Sequence, residues 1–147
     1  QENATYHLKA LDASRPDQIE SLPDCDAAIV VLEGLSMYLT NSQVHRLLQA
    51  LDKKYRMLHI LMDVYTDFCV KASNYKNPVK DVGVYKLYGI NDIDSIISGL
   101  RIRFVKEHSF TPKALVNELA PLERLLFKML FSGKIYRKIY RLYELEA

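Results

Sequence analysis

The sequence predicts an α/β fold with a mainly parallel sheet, and three observations carry that reading. Stretches with strand periodicity alternate with stretches of helix periodicity along the chain. The run Ala27 to Leu32 is continuously apolar with a β-branched centre, Ile29, Val30 and Val31, the pattern of a buried parallel strand covered on both faces. The 147 residues, 49% hydrophobic and 26% charged, suffice for one core, so one domain over 1–147 is expected.

The elements follow in order. Residues 4–14, "ATYHLKALDAS", place Tyr6, Leu8 and Ala10 on one face, and Asp12, Ser14 and Pro16 end the strand. After the 27–32 strand, Thr40 and Gln43 form a capping-box pattern ahead of Val44, Leu47, Leu48 and Leu51, the spacing of an amphipathic helix. "MLHILMD", 57–63, is a second apolar strand, with His59 as a satisfied core residue. Residues 65–84 read as a long loop with one helical turn. Asn91 caps a short helix carrying Ile93, Ile96, Ile97 and Leu100, with Gly99 placed to end it. "RIRFVKEHS", 101–109, alternates like a strand. Thr111 and Pro112 then open a helix through Leu119 that Pro121 closes, and Leu122, Leu125, Leu126, Met129 and Leu130 follow as an apolar helical stripe, a core or lid helix. The tail reads as a helix with Tyr136, Tyr140 and Tyr143 on one side or, in its last residues, as a strand over 139–145, and the strand is the favoured reading.

Composition removes several classes of function. No apolar stretch approaches the roughly 20 residues needed to cross a bilayer, and no signal-peptide pattern opens the sequence. Cys25 and Cys69 form neither a CxxC pair nor a disulfide framework, which suits a reducing compartment and makes the cytoplasm the expected location. The balance of 20 basic and 18 acidic residues advertises neither a nucleic-acid nor a membrane partner. Lys134, Arg137, Lys138 and Arg141, interleaved with tyrosines, read as a solvated face rather than a binding patch. His7, His45, His59 and His108 show no metal-ligand spacing, so no metal site is expected. The first residue is Gln1 rather than methionine, and the chain reads as a piece of something longer.

Ligands of parallel sheets sit outside the carboxyl ends of the strands. Asp12, Glu33 and Asp63 each fall at such an end in this reading, and three acids along one rim suit a ligand with hydroxyls, an amine or a positive centre. The absence of GxGxxG and GxxxxGK turns agrees with a ligand that is not held by its phosphates.

"VVLEGLSMYLTNSQVHRLLQAL" resembles the "EGLLMYL" segment and following helix of the leucine carboxyl methyltransferase family, which includes polyketide-type O-methyltransferases that use S-adenosylmethionine. "KALDAS" and "KLYGINDIDSIISGLRIRFVKEHSFTP" resemble further stretches of that family, so the likeness spans about residues 4–120. The resemblance implies a class I methyltransferase fold, a partial doubly wound, Rossmann-like sheet. Asp12 would hydrogen-bond the adenine amino group with Ala13 bordering the ring. Glu33, beside Gly34, would face the methionine part of the cofactor, and Met37 and Tyr38 would border the acceptor pocket. The implied reaction is methyl transfer to a carboxylate or hydroxyl of a small molecule, mainly a matter of positioning. No catalytic residue is assigned; His59, His108 and Asp63 are nominal candidates for a base.

The same resemblance implies what this sequence lacks: the glycine-rich first strand and turn, the ribose-binding acid and the segment gripping the cofactor carboxylate. In the family's strand order, 3-2-1-4-5-7-6, strands one and two belong between the segments around Leu8 and Val30, which would leave a gap of roughly 14 Å at about 4.8 Å per strand. The expectation is therefore a carboxyl-terminal half, completed by another copy or by a complementing amino-terminal half. The alternative is a noncatalytic, methyltransferase-like interaction domain that pairs with a partner through its open sheet edges.

Overall fold

The computed structural model describes residues 6–75, 86–109, 113–131 and 138–147. Four strands, β1 (Ala27–Leu32), β2 (Met57–Tyr65), β3 (Arg103–His108) and β4 (Tyr140–Glu146), form a mixed sheet in the order β1-β2-β4-β3. β1 and β2 are parallel, with Ala27 beside Met57 and Leu32 beside Met62. β4 runs antiparallel to both β2 and β3. The mainly parallel expectation is thus corrected: one of three pairings among the described residues is parallel. β1 and β2 are joined through α1, the helical crossover that parallel neighbours need, whereas β4 enters between β2 and β3 running against both.

That crossover is α1 (Asn41–Lys54), and it starts where the sequence puts it. Thr40 Oγ1 accepts from the Gln43 N–H at 3.2 Å, and the Thr40 N–H donates to Gln43 Oε1 at 2.8 Å, the reciprocal capping box. Val44, Leu47, Leu48 and Leu51 are buried against Ala28, Val30 and Leu32 of β1, Leu58, Ile60 and Met62 of β2, and Leu145 of β4. α3 (Ile93–Ile97) adds Ile93, Ile96 and Ile97 to the same core. Burying one such aliphatic side chain is worth about 1.5–3 kcal/mol, so this single layer of helix on sheet supplies most of the hydrophobic stabilisation.

Several boundaries differ from the sequence reading. Residues 7–12 form no strand, because no described ladder lies beside them; Tyr6 makes one isolated bridge, and 1–5 lie outside the described residues. Asp92, not Asn91, caps α3, accepting from the Asp94 N–H at 3.1 Å; Asn91 is engaged with Asp67 instead. The loop expected after residue 65 contains α2 (Asp67–Tyr75), started by Thr66, whose Oγ1 accepts from the Cys69 N–H at 3.3 Å; 76–85 lie outside the described residues. α4 (Lys113–Glu118) ends one residue short of Leu119, and the expected opening at Thr111 and Pro112 lies outside the described residues. Pro121 begins α5 (Pro121–Phe131), at a position where its missing N–H costs nothing. Leu122, Leu125 and Leu126 of that helix are exposed rather than core. Within the tail the strand reading holds, shifted by one residue to Tyr140–Glu146.

The second face of the sheet explains two further corrections. Side chains alternate along a strand, so the odd-numbered residues of β1 and β2 point away from α1. There Ile29 is 79% exposed, Val31 61% and Met57 49%, so β1 is covered on one face and bare on the other. His59 shares that bare face; half exposed, it pairs with Glu146 at 3.3 Å and approaches Glu144 at 3.9 Å instead of sitting in the core.

Candidate functional site

The carboxyl ends of β1 and β2 converge on Asp63. β2 continues two residues past it, so Asp63 lies inside the strand rather than at its end, and at 2% exposure it is buried. The chain leaves β1 at Leu32, presents Glu33 to solvent, and turns at Gly34 with φ of +63°. That left-handed conformation is what the glycine is for, since the space where its side chain would project is open. The turn aims the Gly34 N–H at Asp63, where it donates to both carboxylate oxygens at 3.0 and 2.9 Å. Ser36 Oγ donates to the Asp63 carbonyl at 2.6 Å, and the Tyr140 hydroxyl donates to Asp63 Oδ2.

Tyr140 comes from the far end of the sequence, delivered by the β2–β4 register that pairs it with Tyr65 and pairs Leu142 with Asp63. Its ring meets the Tyr65 ring edge-on, with centroids 5.4 Å apart. Burial, then the hydrogen bond to Asp63 and the charge of that carboxylate, push the Tyr140 phenol far above its usual range. It is therefore a protonated donor at neutral pH. Burial also raises the Tyr65 phenol.

A close backbone approach packs against the end of β2 behind the site. Residues 88–90 pass beside the site, with the Tyr88 N–H donating to the Met37 carbonyl at 2.9 Å and the Ile90 N–H to the Tyr65 carbonyl at 2.8 Å. Gly89 sits against Thr66 and Asp67 so tightly that an added Cβ would stand 2.6–2.7 Å from their backbone atoms. Only a residue without a side chain passes there.

A cavity of about 200 Å³ results, walled by Val31, Leu61, Leu142, Glu33, Asp63 and Tyr140. Among the described residues no lysine or arginine pairs with Glu33 or Asp63. Two acids without a basic partner among the described residues, lining one cavity with Tyr140, make a site that favours a positively charged or hydrogen-bond-donating group. No three His, Cys, Asp or Glu side chains converge as a metal-binding set among the described residues.

The residues expected from the sequence are only partly assembled here. Glu33 and Asp63 line the cavity, and Gly34, in the turn after Glu33, donates its N–H to Asp63. Met37 is buried and Tyr38 exposed in the 3₁₀ turn Ser36–Tyr38 that follows. Asp12 is not among the residues that wall the cavity. It lies in a turn rather than at a strand end, and its carboxylate accepts from the Ser14 N–H at 2.9 Å and Ser14 Oγ at 2.7 Å. Those bonds hold it below the usual carboxylate range. Ala13 packs on the core beside it. Of the tail residues, Lys134, Tyr136 and Arg137 lie outside the described residues.

Sequence reasoning missed Tyr140, Ser36 and Gly89. The signal for Tyr140 was the strand reading of the tail, which alternates Tyr140, Leu142, Glu144 and Glu146 on one face. A second cluster was also missed: Glu144 accepts from His108 Nε2 at 2.5 Å and pairs with Lys106 at 3.3 Å, while Glu146 pairs with Arg103 at 2.7 Å. No protein-family model matches this chain, and no curated protein matches it.

Proposed function

We propose that this chain is the carboxyl-terminal portion of an S-adenosylmethionine-dependent O-methyltransferase acting on a carboxylate or hydroxyl of a small molecule. One observation carries the reading: the order β1-β2-β4-β3, with a parallel first pair and the last strand inserted antiparallel between its neighbours. That is the pattern of strands 4-5-7-6 in the order the resemblance implies. Glu33, which the resemblance puts after the fourth strand, follows β1.

Bound at the cavity, S-adenosylmethionine would supply an electrophilic methyl group on a positively charged sulfur. The chain's own groups fit that charge. Glu33 is exposed and able to pair with the α-ammonium, and Asp63 holds the turn that carries Glu33. Tyr140 lines the same cavity as Glu33 and Asp63. Met37 and Tyr38 remain the proposed border of the acceptor, and Asp12 with Ala13 the proposed adenine contact. A carboxylate acceptor is already ionised and needs no base; a hydroxyl acceptor gains about 10²–10⁴ in rate from one.

The test is a nuclear magnetic resonance titration of the chain. S-adenosylmethionine is expected to shift the amide signals of Gly34, Asp63 and Tyr140 with a dissociation constant weaker than about 100 µM, because half of the walls are missing. S-adenosylhomocysteine, which lacks the positive sulfur, should shift them less, and Glu33→Gln should weaken both ligands, since both carry the α-ammonium. An equal response to both ligands, or shifts confined to other elements, refutes the reading. The second reading, a noncatalytic interaction domain, is favoured by β1 pairing with β2 alone among the described residues and forecasts no response to either ligand.

A further inference from the structure

We infer, resting on the methyltransferase reading, that the acceptor taken at this cavity is a hydroxyl rather than a carboxylate, and that its proton leaves through the Tyr140 oxygen to Asp63. Tyr140 is then the residue that touches the acceptor, and Asp63 the base behind it.

Toward a ligand, the polar atoms of the cavity only accept hydrogen bonds. Glu33 and Asp63 line it with carboxylates, and the single proton of the Tyr140 hydroxyl is given to Asp63 Oδ2. The donors just behind serve the same acid: the Gly34 N–H its two carboxylate oxygens at 3.0 and 2.9 Å, Ser36 Oγ its carbonyl at 2.6 Å. Among the described residues no lysine or arginine pairs with either carboxylate. The remaining walls, Val31, Leu32, Leu61 and Leu142, are apolar. A ligand held here therefore brings its own donor. A hydroxyl does so; an ionised carboxylate would set acceptor against acceptor and charge against like charge.

Depth divides the work between the two acids. Glu33 is exposed in the turn after β1, where it can meet the cofactor ammonium while keeping its water. Asp63 is 2% exposed, so a donor reaches it most readily through the hydroxyl already bonded to it. Burial and the neighbouring carboxylate push the Tyr140 phenol far above its ordinary range, so it keeps its proton until another arrives. The β2–β4 ladder fixes the pair rigidly, setting Leu142 opposite Asp63 and Tyr140 opposite Tyr65.

The step balances without a further reactant. The acceptor hydroxyl donates to Tyr140 Oη. As the acceptor oxygen bonds to the methyl carbon, the carbon–sulfur bond breaks and its electron pair stays on sulfur. The acceptor's proton passes to Tyr140 Oη, and the proton Tyr140 held passes to Asp63 Oδ2. The sulfonium charge and the Asp63 charge disappear together. A carboxylate acceptor has no proton for this path and would leave Asp63 charged beside the ester formed. The ether product has lost the donor that held it, so the site releases it. At about 200 Å³ the cavity is smaller than the roughly 300–1,000 Å³ of pockets that enclose whole ligands, and it takes the reacting end of the acceptor.

The probes are phenol, anisole and benzoate, which share one ring and differ in the group that meets Tyr140, added to the full chain at neutral pH without cofactor. Nuclear magnetic resonance follows the amides of Asp63, Tyr140 and Leu142. Phenol is expected to bind about tenfold more tightly than anisole, the worth of one hydrogen bond, and benzoate to be the weakest of the three. Tyr140→Phe should bring the phenol-to-anisole ratio to about one with anisole affinity kept, which a general loosening of the site would not do. Asp63→Asn, which no longer draws the Tyr140 proton inward, should raise benzoate relative to phenol. Benzoate or anisole matching phenol, silence of these amides toward phenol at about 20 mM, or ratios unchanged in the two variants overturns the inference. Should a variant fail to fold, the comparison of the three probes on the unsubstituted chain decides. The cofactor titration is read separately: a cofactor response without the phenol preference sinks only the acceptor class, whereas the phenol preference without a cofactor response sinks the methyltransferase reading.

Discussion

Replacing Tyr140 with phenylalanine removes one oxygen atom and tests the centre of the site. The ring can keep its edge-on contact with Tyr65, but Asp63 loses a hydroxyl donor. A hydrogen bond to a charged group contributes about 1.5–3 kcal/mol, and Asp63 keeps the Gly34 N–H, so the expected loss is about 2 kcal/mol. For a chain of this length that lowers Tm by about 4–8 °C. In urea, where small proteins lose about 1–3 kcal/mol per molar denaturant, the midpoint should fall by about 1 M with an unchanged slope. The phenol also predicts a direction at high pH. Its folded pKa is raised above the ordinary 10.0 by burial and by Asp63, so the unfolded chain releases this proton first. The stabilisation is therefore complete below pH 10.0 and declines as pH rises beyond it toward the folded value. Tyr140→Phe should remove that part of the decline and one late-titrating phenol from the ultraviolet titration. A stability change under about 0.5 kcal/mol, the scatter of an ordinary surface substitution, would refute the hydrogen bond and the site built on it.

Other perturbations separate conformation from crowding. Gly34→Ala meets no neighbour but must hold φ near +63°, so it should cost about 1–2 kcal/mol and leave the Asp63 environment readable by nuclear magnetic resonance. Gly89→Ala instead drives a Cβ into the Thr66–Asp67 backbone; it should cost more than Gly34→Ala in urea unfolding and shift the amides of Tyr88 and Ile90, whose hydrogen bonds anchor that strand of chain. Glu144 is held below the usual 4.5, first by the hydrogen bond from His108 and then by Lys106. Its stabilisation is present above that value and is lost as pH falls through the lower folded one; acid unfolding curves of Glu144→Gln should show a weaker dependence across that window.

The parts of the fold that could be read from sequence are those fixed by local chemistry. The capping box of Thr40 and Gln43, the α1 stripe and the β-branched run of β1 each state their structure within one element. What could not be read depends on what lies beside an element. The alternation in 4–14 is a strand pattern, yet 7–12 form no ladder, because pairing needs a neighbour that local sequence does not specify. His59 sits in an apolar strand and was expected in the core, but its odd position puts it on the face that no described helix covers.

The candidate site divides along the same line. Glu33 and Gly34 were visible because an acid and a glycine at the end of an apolar strand are locally anomalous. Tyr140 was not, because it lies 77 positions from Asp63 and the contact exists only through the antiparallel β2–β4 register. Parity limits how this register can fail: a slip of β4 by one residue would send Tyr140 and Leu142 to the α1 face and bring Arg141 to Asp63. That arrangement would neutralise the buried acid but would bury Glu144 and Glu146 in the apolar core while removing Tyr143 and Leu145 from it. The core residues of β4 thus hold the register, and the register in turn leaves Asp63 facing a phenol instead of a guanidinium. The negative character of the cavity is set by side chains on the opposite face of the sheet.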